Sequence, residues 1–254
     1  MVMKAPDPKW KWNWEDPDNV AEVTQRRHVE RTRTNRLDVM PALPPFGREQ
    51  LMELGLTGIE FGTFETGHSS GLSADMVRLW SADTRTEPDR IYHVNAERYY
   101  AEIDIRKKLP LSDHCVDWVY AEHLIEHVKL GEAIAWLSEV RRVLSPGGLL
   151  RLTTPDIGTY AASYVHGDGF FSEHRRRMGS TMPSRPAFMM NQIFYLYGHQ
   201  WIYDEDELRH ALAEAGYSMD NVHSRKFGEG ARPDIALLDR EVRNDETIYL
   251  EATA

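Results

Sequence analysis

The chain is poor in cysteine, in long apolar runs and in positive charge. Among 254 residues Cys115 is the single cysteine, which excludes an internal disulfide framework and any zinc finger built on cysteine pairs. A reducing, cytoplasmic setting is the simplest expectation. No stretch approaches the roughly 18 apolar residues of a transmembrane helix, and mean hydropathy is −0.54, so no membrane partner is expected. The opening MVMKAPDPKWKWNWE has no apolar core of a secretory leader, and none is expected. Lys and Arg number 30 against 40 Asp and Glu, a net charge of −10, which speaks against a dedicated nucleic-acid binder. Repeats and low-complexity tracts are also missing. What remains is enough chain to bury a full core as one large domain, or as a domain with an arm.

Residues 1–45 differ in character from the rest and read as an N-terminal arm, with the main domain over 46–254. Trp10, Trp12 and Trp14 alternate with polar residues, and Arg26 to Arg36 holds five arginines and one glutamate before the prolines of MPALPPFG. A short helix over about 19–36 and a Pro-rich link are expected. The tryptophans suit packing on the arm's own domain or on a second copy of the chain better than a substrate contact, because aromatic anchors most often serve packing. A homo-oligomer is therefore one candidate assembly.

From residue 57 strand and helix signals alternate. TGIEFGTF (57–64), RIYHVNAE (90–97), VDWVY (116–120), LLRLTT (149–154) and ETIYLEA (246–252) read as strands. Leu72–Trp80 reads as a helix with Ser73 as N-cap, and Glu132–Leu144 as a second, with Ala133, Ile134, Leu137, Val140 and Leu144 on one face. Ser145 to Gly148 reads as a turn, and Asp204 to Gly216 as a helix with its own start and stop signals. Such alternation predicts an α/β fold with a mostly parallel sheet covered on both faces and ligands at the carboxyl ends of the strands. Residues 157–203, rich in Tyr, Phe, Met and Arg, interrupt the rhythm. So long a connection predicts a lid, an acceptor wall or a subunit interface.

The densest motif runs from Asp104 to Asp156: DIRKKLPLSDHCVDWVYAEHLIEHV, then a helix, then EVRRVLSPGGLLRLTTPD. It resembles the class I S-adenosylmethionine-dependent methyltransferases, whose pattern here is an acidic residue, LPF-x-D, a strand, H-x-L-E-H, and RVL-x-PGG-x-L-x-I-x-x-P. The tail GHQWIYDEDELRHALAEAGY with RPDIALLD and ETIYLEA is similar to a subgroup found with surface-polysaccharide and other biosynthetic genes. The resemblance covers roughly residues 57–254. It implies a Rossmann-like, mostly parallel seven-stranded sheet, S-adenosyl-L-methionine as cofactor and a small-molecule acceptor.

The resemblance also implies a cofactor site. Glu60, Gly62 and Gly67, in EFGTFETG, stand where the first strand runs into a glycine turn past the methionine end of the cofactor; Phe64 replaces the second expected glycine. Glu97 stands for the ribose-binding acid, and Asp104 with Ile105 for the adenine site. Carboxylates only accept hydrogen bonds, as hydroxyl and amino donors require. Glu122 or His123 would look into the site.

HLIEH (123–127) also matches the inverted zinc-protease motif H-x-x-E-H. Its surroundings match the methyltransferase pattern instead. In methyltransferases of the ubiquinone-biosynthesis type a similar motif, with an acid in the first position, can hold a divalent metal. His123, Glu126 and His127 are thus candidate ligands for an ion such as Mg²⁺. Removal of a hydroxyl proton during transfer would need a base, for which His123, His127, His199 and Asp156 are candidates. The expected reaction is O-methylation of a sugar or other polar biosynthetic intermediate. C- or N-methylation of an aromatic natural product, and a scaffold subunit without turnover, are the alternatives.

Overall fold

The computed structural model describes residues 32–62, 67–180 and 182–254. The Trp10–Trp14 cluster, most of the expected 19–36 helix and Phe64 lie outside the described residues. In chain order the elements are β1 (Leu37–Val39), α1 (Arg48–Glu53), β2 (Gly58–Phe61), β3 (Gly71–Asp75), β4 (Ile91–Val94), β5 (Arg98–Glu102), β6 (Val116–Glu122), α2 (Leu130–Val143), β7 (Leu144–Pro155), α3 (Ile157–His166), α4 (Phe170–Arg177), α5 (Pro186–Asn191), α6 (Glu205–Glu214), β8 (Val222–Arg225), α7 (Pro233–Ala236) and β9 (Thr247–Thr253). Among the described residues no helix is long and apolar enough to cross a membrane.

The nine strands of the described residues form one sheet in the order β1-β4-β5-β3-β2-β6-β7-β9-β8. The pairs β5–β3, β3–β2, β2–β6 and β6–β7 are parallel, whereas β1–β4, β4–β5, β7–β9 and β8–β9 are antiparallel. The α/β class therefore holds, but the sheet is mixed and has nine strands instead of seven. Two strands, β1 and β4, are added at the edge beyond β5. Leu37–Val39, inside the segment expected as an arm, is that edge strand.

The second expected strand is the source of the difference. RIYHVNAE forms β4 and a tight turn, then pairs back on β5 as a hairpin. The strand beside β2 is instead β3, in the segment expected to be a helix. Only residues 62–70 connect β2 to β3, and Leu72 and Ala74 pack on the core face between two partners. Pairing and burial on both sides outweigh the helical spacing of Leu72, Met76 and Leu79.

One face of the sheet carries the main core. Ile59, Phe61, Val119, Ala121, Leu150 and Leu152 point to α2, whose Ala133, Trp136, Leu137, Val140 and Val143 are buried at helical spacing. Trp136 meets Phe61 edge-on at 5.5 Å. The expected Ser145–Gly148 turn is a bulge within β7, where the register against β6 shifts between Val116 and Trp118. The expected C-terminal helix appears as α6, with the Asp204 side chain accepting from Glu207 N–H at 2.8 Å and Gly216 at φ +91° beyond its end.

Candidate functional site

Parallel pairing brings the carboxyl ends of β3, β5, β2, β6 and β7 to one edge of the sheet, where ligands of open α/β folds bind. The chain leaves β2 at Gly62, whose φ is +73°. A Cβ there would stand 2.6 Å from the Glu122 carbonyl oxygen, so only glycine lets this turn lie against the tip of β6. Gly62 N–H reaches the Ala74 carbonyl at 3.4 Å, next to Asp75. Gly67 is exposed, and a Cβ there would meet nothing within 4 Å; the chain's own packing does not require glycine at that position.

Asp75 ends β3 opposite Glu102 of β5. Its Oδ1 accepts Val77 N–H at 3.2 Å, and its carbonyl accepts Ile103 N–H at 2.9 Å. Asp104 follows one residue later. The Arg106 hydrogen bonds, two at 2.9 Å from the guanidinium, hold the Asp104 carboxyl below its usual range, so it is ionised. Two carboxylates thus sit at the tips of neighbouring parallel strands. Ile105 is buried in the main core beside them.

Glu97 is not part of this group. It is exposed in the β4–β5 turn, at the start of β5, whereas Asp104 lies past its end. Seven residues along an extended path place the two roughly 20 Å apart. The acid at the tip next to Gly62 is Asp75, which the sequence reading missed because it took residues 72–80 for a helix. The missed signal was the short spacing between GIEF and GLSAD, too tight for a helix.

Glu60 is fully buried on the sheet face away from α2. Its Oε1 accepts His68 N–H at 2.6 Å, so it braces the β2–β3 connection. Glu122, the last residue of β6, is buried with Arg240 4.0 Å away.

The HLIEH segment turns sharply at the tip of β6. His123 takes φ +45° and is 8% exposed. Its Nε2 lies 2.8 Å from Thr247 Oγ1, and that hydroxyl donates to the Arg243 carbonyl at 2.6 Å. Thr247 therefore accepts, Nε2 carries the proton, and the Nδ1 lone pair faces Glu126 Oε1 at 3.7 Å. Burial, then the nearby Arg243, keeps His123 neutral, well below the usual histidine range. Burial pushes the Glu126 carboxyl up to about 8, and its Oε2 accepts Thr154 Oγ1–H at 3.1 Å. Burial also takes His127 down to about 4, with His199 and Arg243 adding to the effect.

His199 arrives from the far end of the insertion and meets the His127 ring at 4.7 Å. One ligating atom each from Glu126, His127 and His199 lies within 4.8 Å of the others. The sequence reading grouped His123 with Glu126 and His127; the structure ties His123 Nε2 to Thr247 and brings His199 to the group instead. Asp156, a candidate base in the sequence reading, lies at the start of α3. Both its oxygens cap α3, accepting Gly158 N–H at 2.9 Å, Thr159 N–H at 3.2 Å and Thr159 Oγ1–H at 2.7 Å.

The insertion forms α3, α4, α5 and a π-helical turn (Gln192–Leu196). Tyr160, Phe171, Met189 and Ile193 make a separate small core with Phe170, Phe188, Met190, Phe194 and Ile202. Half of its Phe, Tyr and Trp side chains thus share this core, while Tyr164, Tyr195, Tyr197 and Trp201 stay exposed and Tyr203 joins the main core.

Residues 67–152 match the family described as "Methyltransferase domain". An uncharacterized 37.1 kDa protein in transposon TN4556 of Streptomyces fradiae is 27% identical over 154 residues; these are 58% of this chain, and the chain spans 42% of that protein's length. A solved S-adenosylmethionine-dependent methyltransferase of Mesorhizobium loti is 19% identical, with TM-score 0.44 and 79% of this chain and 91% of that chain covered. A SAM-dependent methyltransferase of Archaeoglobus fulgidus is 11% identical, with TM-score 0.44 and 94% and 96% covered. Residues 67–152 of this α/β fold thus resemble a methyltransferase domain.

Proposed function

We propose that the chain binds S-adenosyl-L-methionine at the tips of β2, β3 and β5 and transfers its methyl group to a small polar acceptor, most simply the hydroxyl of a sugar or another biosynthetic intermediate. The observation that carries this is the pair Asp75 and Asp104 on adjacent strand tips beside the Gly62 turn, inside the segment that matches the methyltransferase family. Acceptor-only carboxylates suit the ribose diol and the adenine amino group, which donate. When bound, the cofactor supplies an electrophilic methyl on a cationic sulfur.

This chain's residues then have distinct tasks. Asp75 and Asp104 orient the nucleoside. Gly62 leaves room for the backbone to pass close to the ligand. His127 and His199, neutral and half-buried, offer lone pairs on the acceptor side. His123 and Asp156 position their neighbours. The insertion borders the acceptor, with exposed Tyr195 and Tyr197 at its rim. The small-molecule acceptor and the cytoplasmic setting are part of the same proposal.

Calorimetry with S-adenosylmethionine and with its demethylated product tests the reading. Wild type should bind in the micromolar range, Asp75→Ala and Asp104→Ala should each weaken binding by roughly tenfold or more, about 1.4 kcal/mol, and Glu97→Ala should not change it. Absence of binding by wild type overturns the proposal. The nine-residue β2–β3 connection favours one second reading, a subunit that binds the cofactor without turnover. Binding with no transfer to any acceptor from its biosynthetic setting would select it.

A further inference from the structure

We propose that Glu126, His127 and His199 form a site for a divalent ion of the zinc class, which fastens the insertion to the tip of β6 and leaves one coordination position open. This does not depend on methyl transfer.

The ligand atoms already converge. Around a single zinc ion, nitrogen and oxygen ligands stand roughly 3 to 3.5 Å apart. The present upper bound of 4.8 Å leaves about an ångström to close, within reach of small side-chain rotations.

A hydrogen bond elsewhere has assigned the lone pair of His199. His199 Nδ1 lies 2.6 Å from the Ile193 carbonyl oxygen. A carbonyl can only accept, so Nδ1 carries the proton and Nε2 carries the lone pair. An imidazole held through one nitrogen by a backbone carbonyl is in the tautomer that a metal requires. The carbonyls of Gly198 and Tyr197 lie close enough to the His127 ring to favour its protonated form, against the effect of burial.

The carboxylate completes the set. Glu126 is wholly buried; Oε2 is satisfied by Thr154, whereas Oε1 has no hydrogen-bond partner. That oxygen faces the Nδ1 lone pair of His123 at 3.7 Å. Two acceptors facing each other in a dry site need a proton or a cation between or beside them.

The third ligand is held in place from both sides. Glu126 O accepts Gln200 N–H at 2.7 Å and Trp201 N–H at 3.2 Å, and Gln200 Nε2–H donates to His127 O at 2.8 Å. These bonds fix the backbone next to His199 against the two other ligands before any ion arrives. Half-exposure of His127 and His199 provides an entry path and room for a water or an acceptor oxygen. Arg243 and Glu246, the neighbouring charges, are opposite in sign and offset one another. Two imidazoles and one carboxylate favour zinc over magnesium, which prefers oxygen ligands.

The test uses the full chain after exhaustive chelation, titrated with Zn²⁺ by calorimetry and with Co²⁺ by visible absorption. One equivalent of Zn²⁺ should bind, Co²⁺ should show the d–d bands of a low-coordinate nitrogen and oxygen site, and excess Mg²⁺ should not displace either. Glu126→Gln and His199→Gln should each weaken Zn²⁺ binding by at least about tenfold, with unchanged circular dichroism; His123→Gln should not. His199→Cys is the second variant: it should retain Co²⁺ and add a sulfur-to-cobalt charge-transfer band. No stoichiometric uptake, displacement by Mg²⁺, affinity unchanged in His199→Gln, or a missing sulfur band in His199→Cys would each overturn the site.

Discussion

At the scale of single residues, what decides a role is how many of a side chain's polar atoms are already engaged. Asp156, an acid at the tip of β7, has both oxygens on the start of α3. Asp156→Ala should therefore behave as the loss of a helix cap, costing about 1 kcal/mol in urea unfolding, with transfer rate unchanged once stability is allowed for. A collapse of turnover at wild-type stability would return it to the catalytic set. Gly62 is limited by geometry and not by chemistry. At φ +73°, with a Cβ 2.6 Å from the Glu122 carbonyl, Gly62→Ala combines backbone strain with a clash and should cost roughly 1–3 kcal/mol. Because the displaced turn borders the proposed cofactor site, its affinity for the demethylated product should fall together with the midpoint of unfolding. A variant that loses stability but keeps full affinity would place the ligand elsewhere.

At the scale of elements, periodicity was legible where one face alone is buried and failed where pairing takes over. Helix α2 and helix α6 sit where their apolar spacing and caps put them, since local pattern and tertiary burial agree. Segment 72–80 carries a helical spacing too, but β3 is clasped between β2 and β5, and a partner on each side is invisible to a local pattern. That one exchange is why the sequence reading put Glu97, and not Asp75, at the strand tip beside Gly62, while Asp104, Gly62 and the HLIEH turn stayed at the edge where the motif order puts them. The joining of His199 to Glu126 and His127 was equally hidden, because it depends on how the insertion folds back. On the face away from α2, Arg151 is wholly buried and binds Asp239, Glu251 at 3.1 Å and the carbonyls of Glu229 at 2.9 Å and Lys226 at 3.2 Å. This clamps the 226–240 segment, with α7, over β7. Asp239→Ala removes one partner and leaves a buried guanidinium undercompensated, which should cost about 3–5 kcal/mol. Chemical unfolding measures it, and a loss below about 1 kcal/mol would mean water enters to replace the carboxylate.

At the scale of the whole molecule the described residues hold four apolar clusters, and the insertion's own is tied to the main core by polar contacts. The insertion's small core shares no buried apolar residue with the main one. Its links are Tyr160 Oη–H to Glu246 at 2.6 Å, His174 to Asp245 at 3.1 Å and to Glu246 at 3.5 Å, Arg177 to Asp245 at 3.7 Å, and the backbone pairing of residues 200–201 with Glu126. Joints of this kind respond to pH where an apolar joint would not. Burial alone would lower the His174 pKa, and Arg243 opposes protonation as well; the Asp245 hydrogen bond and the charges of Glu246 and Asp245 outweigh both, so it lies above the ordinary histidine value. The folded state then holds a proton that the unfolded chain has given up once pH exceeds about 6.5. The stabilisation is complete below that pH and declines as pH rises through the folded pKa, with a slope of at most about 1.4 kcal/mol per pH unit. Hydrogen exchange of α4 should therefore quicken from pH 6 to pH 9, after correction for intrinsic rates, while exchange in α2 changes less. His174→Gln should flatten the α4 profile at the unprotected end. An α4 profile in wild type that is flat over this range, or one that follows α2 throughout, would mean that the two cores open as one and that His174 does not latch the insertion.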